Sequence, residues 1–327
     1  MRNHIEEYEL KAAGKAYRIS EKNTMYFIGV TTHNSSIMKI FPQWAEYLQL
    51  GDVRLDGINF VLHDKPENYR QVLKYIKKDA ESLGALVTTH KIDMLKACRD
   101  LFDVLGSDAG LMNEISSISK EKGLLIGKAM DPITSGLAFH HFIPEDHFVK
   151  NKGYLFIMGA GGSTIALTSH LLRKGGKNLP EKIIVSNRSR GRLEEIERVH
   201  HQIKSTIPVE YRLTPEPEDN DSIMKNLPPG SVAVNGTGLG KDAPGSPVTD
   251  AAEFPEGGFA WDFNYRGNLV FLDQAKAQRE KKGLTIEDGW VYFLHGWTRV
   301  IAEVFHREIP ISGPVFEDLS RIAKEAR

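Results

Sequence analysis

The chain has 327 residues, 41% hydrophobic and 26% charged, a size and composition that suit two folded domains and exclude disorder over most of the length. With 42 Lys and Arg against 43 Asp and Glu, the net charge is −1, and no basic cluster offers a surface for nucleic acid. The single cysteine, Cys98, rules out an intrachain disulfide framework and a multi-cysteine metal site; its helical surroundings make it a buried thiol rather than a nucleophile.

Residues 1–22 are polar, carry Glu6, Glu7 and Glu9, and read as an extension without the apolar stretch of a signal peptide. No apolar run approaches the roughly 18–20 residues that span a bilayer, so no membrane partner is expected and the cytoplasm is the expected compartment. Residues 25–30 form a short apolar run that reads as a buried strand. Asn34, Ser35 and Ser36 then read as the cap of a helix running through Gln43. A second strand is expected over 57–62, a helix over 68–82, a third strand over 84–89 and a helix over 92–105. This alternation predicts a mostly parallel sheet. Residues 116–127 read as a hairpin turning at 120–123, and residues 131–142 as a helix. His140 and His141 lack a third ligand at a sensible spacing, so no metal site is expected.

The second half opens with an apolar strand over 154–158. Gly159-Ala160-Gly161-Gly162-Ser163 follows, then a helix over 164–174. A tight strand-to-helix turn needs glycine. A backbone without Cβ lets a pyrophosphate approach, and the helix N-terminus presents free N–H groups to it. Thr164 occupies the third position of G-x-G-x-x-G. A strand over 182–186 leads into Asn187-Arg188-Ser189-Arg190-Gly191-Arg192. An acidic residue there would bind the ribose hydroxyls of NAD, whereas guanidinium groups suit a 2′-phosphate, which points to NADP(H). The plainer alternative is that these arginines decorate a helix start, where cations are mildly unfavourable. Further strands are expected over 231–235 and 259–263 and helices over 292–307 and 315–326, with 215–221 as a surface loop. The fold class is α/β in two domains: a Rossmann-type dinucleotide-binding domain over 131–291, and a smaller α/β substrate-binding domain over 23–130 completed by residues 292–327. The joint is placed between Asp131 and Gly153.

These pieces resemble the shikimate dehydrogenase and quinate/shikimate dehydrogenase family, from about Met25 to about Phe305. Gly29-x-x-x-His33-Asn34-Ser35-Ser36 is similar to the first substrate loop, usually His-Ser-x-Ser-Pro. Val87-Thr88-Thr89-His90-Lys91 resembles Val-Thr-(Ile/Val)-Pro-(His/Phe)-Lys, one residue shorter. Gly110-Leu-Met-Asn113 matches Gly-Ala-Val-Asn, and Gly127-Lys-Ala-Met-Asp131 matches Gly-x-Asn-Thr-Asp. Asn187-Arg188-Ser189-x-x-Arg192 is similar to the NADP-type Asn-Arg-Thr-x-x-Arg, Asn235-Gly-Thr237 to Asn-Ala-Thr, and Asp262-Phe-Asn-Tyr265 to Asp-x-x-Tyr.

The resemblance implies reversible hydride transfer between NADP(H) and a ring secondary alcohol or ketone, such as shikimate and 3-dehydroshikimate. It implies Lys91 and Asp131 as a catalytic dyad in the cleft between the domains. Taken singly, Lys91 reads as a solvated lysine and Asp131 as a helix cap before Pro132. As a pair, the cation stabilises and protonates the oxygen that gains charge, and the carboxylate holds the ammonium. Substrate contacts carry over to Ser36, Asn113 and Tyr265, with Asn34 and Thr88 beside them. Cofactor contacts carry over to Gly159, Ala160, Gly161, Gly162, Ser163, Asn187, Arg188, Ser189, Arg192, Asn235 and Thr237. The sequence departs from the family at Asn34, Ile37, Ala129, Met130, Pro132 and Arg266-Gly267, and places His295 or Gly296 where the family has a glutamine; His295 is thus a further candidate substrate contact, against the plainer reading of a structural histidine on a helix face. A hydrogen-bonding pocket discriminates strongly between hydroxyl patterns. A different polyhydroxy or keto substrate is therefore the alternative, and a nucleotide-sensing protein without turnover is the third reading. A homodimer is compatible with the sequence.

Overall fold

A computed structural model describes residues 10–12, 15–17, 21–176 and 178–326. Much of the extension expected over 1–22 lies outside them; within it, β1 (Leu10–Ala12) and β2 (Lys15–Tyr17) pair antiparallel. The chain divides into two compact units, residues 1–130 with 297–327, and residues 131–296.

The first unit carries β3 (Thr24–Gly29), α1 (Ile37–Tyr47), β4 (Arg54–Asn59), α2 (Pro66–Lys78), β5 (Ser82–Val87), α3 (Lys91–Cys98), β6 (Val104–Leu105), α4 (Ser107–Met112), β7 (Ser117–Glu121) and β8 (Leu124–Lys128). Its sheet runs β4-β3-β5-β7-β8-β6. Only β4, β3 and β5 form the expected parallel run; β7 lies antiparallel to β5 and to β8. The expected hairpin accounts for this. Lys122 and Gly123 both have positive φ, 49° and 82°, the backbone of a tight two-residue turn that matches strand twist.

Several local expectations shift. Ser36 precedes α1 in helical backbone and makes no side-chain cap bond; the chain from Thr32 to Asn34 is instead a 3-10 turn. Ser82 opens β5 rather than closing α2. The helix expected to reach Leu105 stops at Cys98, because Asp103 pairs with Leu125 through its backbone N–H and accepts the Leu125 N–H at 2.7 Å, drawing the chain into an edge strand.

The second unit carries α5 (Asp131–Phe142), α6 (His147–Asn151), β9 (Leu155–Met158), α7 (Gly162–Lys174), β10 (Ile183–Asn187), α8 (Arg190–His200), β11 (Val209–Leu213), α9 (Pro217–Lys225), β12 (Val232–Asn235), β13 (Phe259–Asp262), α10 (Val270–Lys276), α11 (Arg279–Lys282) and β14 (Thr285–Glu287). All six strands are parallel in the order β11-β10-β9-β12-β13-β14. This is the order of a doubly wound dinucleotide-binding sheet, whose direction of winding reverses between β9 and β12. The central strands are buried on both faces and read as unbroken apolar runs; Phe156, Met158, Ile184, Ala233 and Ala260 form one core with Phe254 and Phe271.

The segment 215–221, expected as a loop, becomes helical from Pro217. Proline stands at the first helical position, and Glu216 and Asp219 form a reciprocal capping box, so its proline and acids mark a helix start. The helix α12 (Trp290–Phe305) crosses the division between the units. The final helix α13 (Pro314–Glu325) packs on α1, where Trp44 Nε1 donates to the Leu319 carbonyl at 2.9 Å and the Tyr47 hydroxyl donates to Asp318 at 2.8 Å. Among the described residues, no helix is long and apolar enough to cross a membrane.

Candidate active site

The Gly-rich turn joins β9 to α7. Gly159 has φ +96°, and a Cβ there would stand 2.6 Å from the Gly236 carbonyl oxygen, so no other residue fits without displacing that backbone. Gly161 precedes α7 in extended backbone, with open space where a side chain would stand. Gly162 and Ser163 form the first turn of α7, whose N–H groups lack helical partners. Thr164 is fully buried, and a Cβ on Gly236 would come within 2.8 Å of its Oγ1. The close helix-to-sheet approach that a third glycine normally permits is thus supplied from the opposite side, by the turn after β12.

Two side chains tie the strand ends together. Asn187, closing β10, accepts the Ala160 N–H at 3.4 Å and donates to the Ser189 carbonyl at 3.1 Å. Arg188, Ser189 and Arg192 beyond it are exposed, and Arg192 pairs with Glu195 at 3.0 Å. Buried Asn235, closing β12, accepts the Thr237 N–H at 3.1 Å and its hydroxyl at 2.6 Å, and donates to Asp262 at 2.8 Å. Asp262 also receives the backbone and side-chain N–H groups of Asn264 at 2.8 and 2.9 Å. Burial pushes its carboxyl up to about 6, against the pull of these bonds. Three residues on, Tyr265 is half-buried against Trp290 and Phe293, ring centroids 5.5 and 4.8 Å away. His295 is 1% exposed.

In the first unit the expected residues lie beyond one end of the sheet, after the interior strands β3 and β5. Thr88 follows β5, its N–H donating to Ile28 at the end of β3 and its carbonyl accepting from Lys91 at 3.1 Å. Lys91 opens α3, half-buried, and its carbonyl accepts the Ile115 N–H at 3.2 Å, which brings the stretch after Asn113 alongside. Asn113 is exposed and left-handed, φ 51°, at the end of α4. Ser36 is half-buried and Asn34 exposed after β3, in a loop fixed where the Thr32 N–H and hydroxyl each donate to Asn59 at 2.8 Å. The Met130 N–H donates to Ser116 Oγ at 2.7 Å, just before β7. Asp131, the next residue, opens α5 and the second unit; its carbonyl accepts from the Ser135 hydroxyl at 2.7 Å.

No protein-family model matches the chain. It is 26% identical over 250 residues to shikimate dehydrogenase (NADP(+)) of Caldicellulosiruptor bescii, covering 73% of this chain and 76% of that one. To the protein of the same name in Lactococcus lactis it is 25% identical over 177 residues, spanning 59% of that chain. Among solved structures, shikimate dehydrogenase from Aquifex aeolicus superposes with a TM-score of 0.69 at 18% identity, over 94% of this chain and 98% of that one. The 5-ketofructose reductase of Gluconobacter sp. strain CHM43 does so with a TM-score of 0.70 at 18% identity, over 93% and 99%.

The fold is that of the shikimate dehydrogenases. Within that fold, the sequence places the Gly-rich turn between a strand and a helix, as found, but does not disclose Gly236 as the partner of Thr164. Nor did it foresee Asp262 as the anchor of Asn235. An Asn-Gly-Thr turn closing an apolar strand was the available signal for the first; a carboxylate ending an otherwise apolar strand was the signal for the second.

Proposed function

We propose that the protein is an NADP(H)-dependent oxidoreductase of the shikimate dehydrogenase type, interconverting a ring ketone and its secondary alcohol, with 3-dehydroshikimate and shikimate as the first pair to test. The observation that carries this is the end of β10: a doubly wound sheet with a bare glycine turn at its switch point, followed by Arg188, Ser189 and Arg192 where an NAD enzyme carries an acid. The residues present fit the cofactor. Gly159, Ala160, Gly161, Gly162 and Ser163 leave backbone N–H groups open to a pyrophosphate. Asn187, Arg188, Ser189 and Arg192 would hold the 2′-phosphate, and Asn235 and Thr237 would shape the floor. Bound NADPH supplies the hydride.

Lys91 gives its proton to the ketone oxygen as negative charge builds there, and takes it back in the reverse direction. Ser36, Asn113 and Tyr265, with Asn34 and Thr88, hold the substrate's carboxylate and hydroxyls. A second reading keeps this chemistry but changes the substrate. It is favoured by Ala129 and Met130, apolar and 2% and 5% exposed, where the family carries Asn-Thr, and by the shared fold of a ketofructose reductase.

The deciding experiment follows NADPH absorbance with 3-dehydroshikimate, with NADH alongside. Oxidation of NADPH supports the first reading. Tight NADPH binding without turnover moves the substrate to other keto acids and keto sugars. No NADPH binding refutes both.

A further inference from the structure

His90 stands directly before Lys91 and is 1% exposed. Its Nε2 lies 3.2 Å from the Gly29 carbonyl at the end of β3, and its Nδ1 lies 3.2 Å from the Tyr69 hydroxyl on α2. A carbonyl can only accept, so Nε2 carries the proton and Nδ1 accepts from Tyr69. The Tyr69 hydroxyl accepts in turn from the Asp64 N–H at 3.2 Å. One chain of donors therefore runs from Asp64 through Tyr69 and His90 to Gly29, and it fixes a single tautomer. The rings of Phe60 and Tyr69 enclose the imidazole at 5.6 and 5.7 Å. The His90 backbone meanwhile starts α3, its carbonyl accepting the Met94 N–H at 2.8 Å.

We propose that His90 is a positioning residue: its imidazole, clamped between Gly29 and Tyr69, sets the backbone from which Lys91 acts. This rests on the reading of Lys91 as the acid–base group. The charged and titratable groups around the imidazole are Tyr69 from α2, Asp64 before α2, and Asp93 on α3, itself paired with His63 at 3.0 Å. Burial outweighs these carboxylates and holds the imidazole below its usual range. It is neutral at neutral pH; an added proton falls on Nδ1, which can then no longer accept from Tyr69.

The test compares His90→Phe, which keeps a ring and removes both bonds, with Tyr69→Phe, which removes one, and His90→Gln, which can donate and accept but does not titrate. Two readouts are taken on folded protein: kcat and KM across pH, and the rate at which acetic anhydride acylates Lys91, read by peptide mass spectrometry. His90→Phe and Tyr69→Phe are expected to lower kcat by roughly 10-fold to 100-fold with the KM for NADPH unchanged, and to alter the Lys91 acylation rate. His90→Gln should restore part of kcat and flatten the acid limb of its pH profile. If His90→Phe fails to fold, Tyr69→Phe and His90→Gln carry the comparison. Wild-type kcat and wild-type acylation in the folded variants overturn the proposal. Lys91→Ala is the control: if it keeps turnover, the reading of Lys91 has failed. If it loses turnover while the His90 and Tyr69 variants do not, only the positioning role has failed. Should 3-dehydroshikimate not be the substrate, the acylation rate still decides.

Discussion

Lys91 and Arg188 make separable predictions. Lys91→Ala removes the proposed proton donor and none of the residues proposed to hold the nucleotide; turnover should fall by roughly 10²- to 10⁴-fold, while NADPH fluorescence titrates as in the parent. Equal loss of binding would show that Lys91 acts on the fold instead. Arg188 is exposed at the end of β10, and hydrogen bonds to charged groups contribute about 1.5–3 kcal/mol. Arg188→Ala should therefore weaken NADPH by about tenfold or more and leave NADH unchanged. Parallel losses for both nucleotides would mean that Arg188 does not meet a 2′-phosphate.

At the scale of elements, α7 and the turn after β12 fit each other through Thr164 and Gly236. A Cβ on Gly236 would meet Thr164 Oγ1 at 2.8 Å and the Met158 carbonyl at 3.1 Å, so Gly236→Ala should destabilise by about 1–3 kcal/mol. Thr164 Oγ1 is buried without a hydrogen bond. Thr164→Ala should therefore be mild alone and should recover part of the loss in the double variant; strict additivity in urea unfolding would refute the fit. The same elements show what a sequence discloses. Strands β9, β12 and β13 were legible to within about a residue, because burial on both faces makes them unbroken apolar runs. The edge strand β11, Val209–Leu213, alternates apolar and charged residues, the period of a half-buried strand, but at five residues between a helix and a Pro-rich segment it is passed over. The acids and prolines of α9 were read as a loop from composition, although proline at the first position and an acidic cap are helix-start signals. The Gly-rich turn is legible because the strand before it and the helix after it adjoin it in sequence. The Gly236–Thr164 fit and the Asp262–Asn235 bond arise only when separate strands are brought side by side.

For the whole molecule, buried histidines set the response to acid. Burial pushes His200 down to about 4, where it bonds Thr168 at 2.7 Å and Tyr211 at 2.8 Å. Burial does the same to His140, with Lys174 and His170 adding to it. Both are neutral when folded and take up protons near 6.5 when unfolded, so their stabilisation is full above that pH and is lost as pH falls toward 4. Asp262 runs the other way, since its raised value means stability lost as pH rises through about 6. His90, His140 and His200, all held low by burial, against one raised carboxyl leave a net loss on acidification, on the order of 2 kcal/mol at pH 5 from His200 alone. The urea midpoint should fall from pH 7 to pH 5, and less so in His200→Gln; an unchanged midpoint would refute this balance. The packing of α13 on α1 has a further consequence for how the chain comes to be folded. Residues 131–296 are contiguous and can pair all six strands of their sheet as soon as they are made. The first unit begins earlier yet finishes later, because the Leu319 carbonyl that receives the Trp44 indole N–H is synthesised only after the second unit. Until then the α1 surface waits uncovered, and a chain cut near residue 300 and free of the ribosome should hold a folded second unit and an unfinished first one.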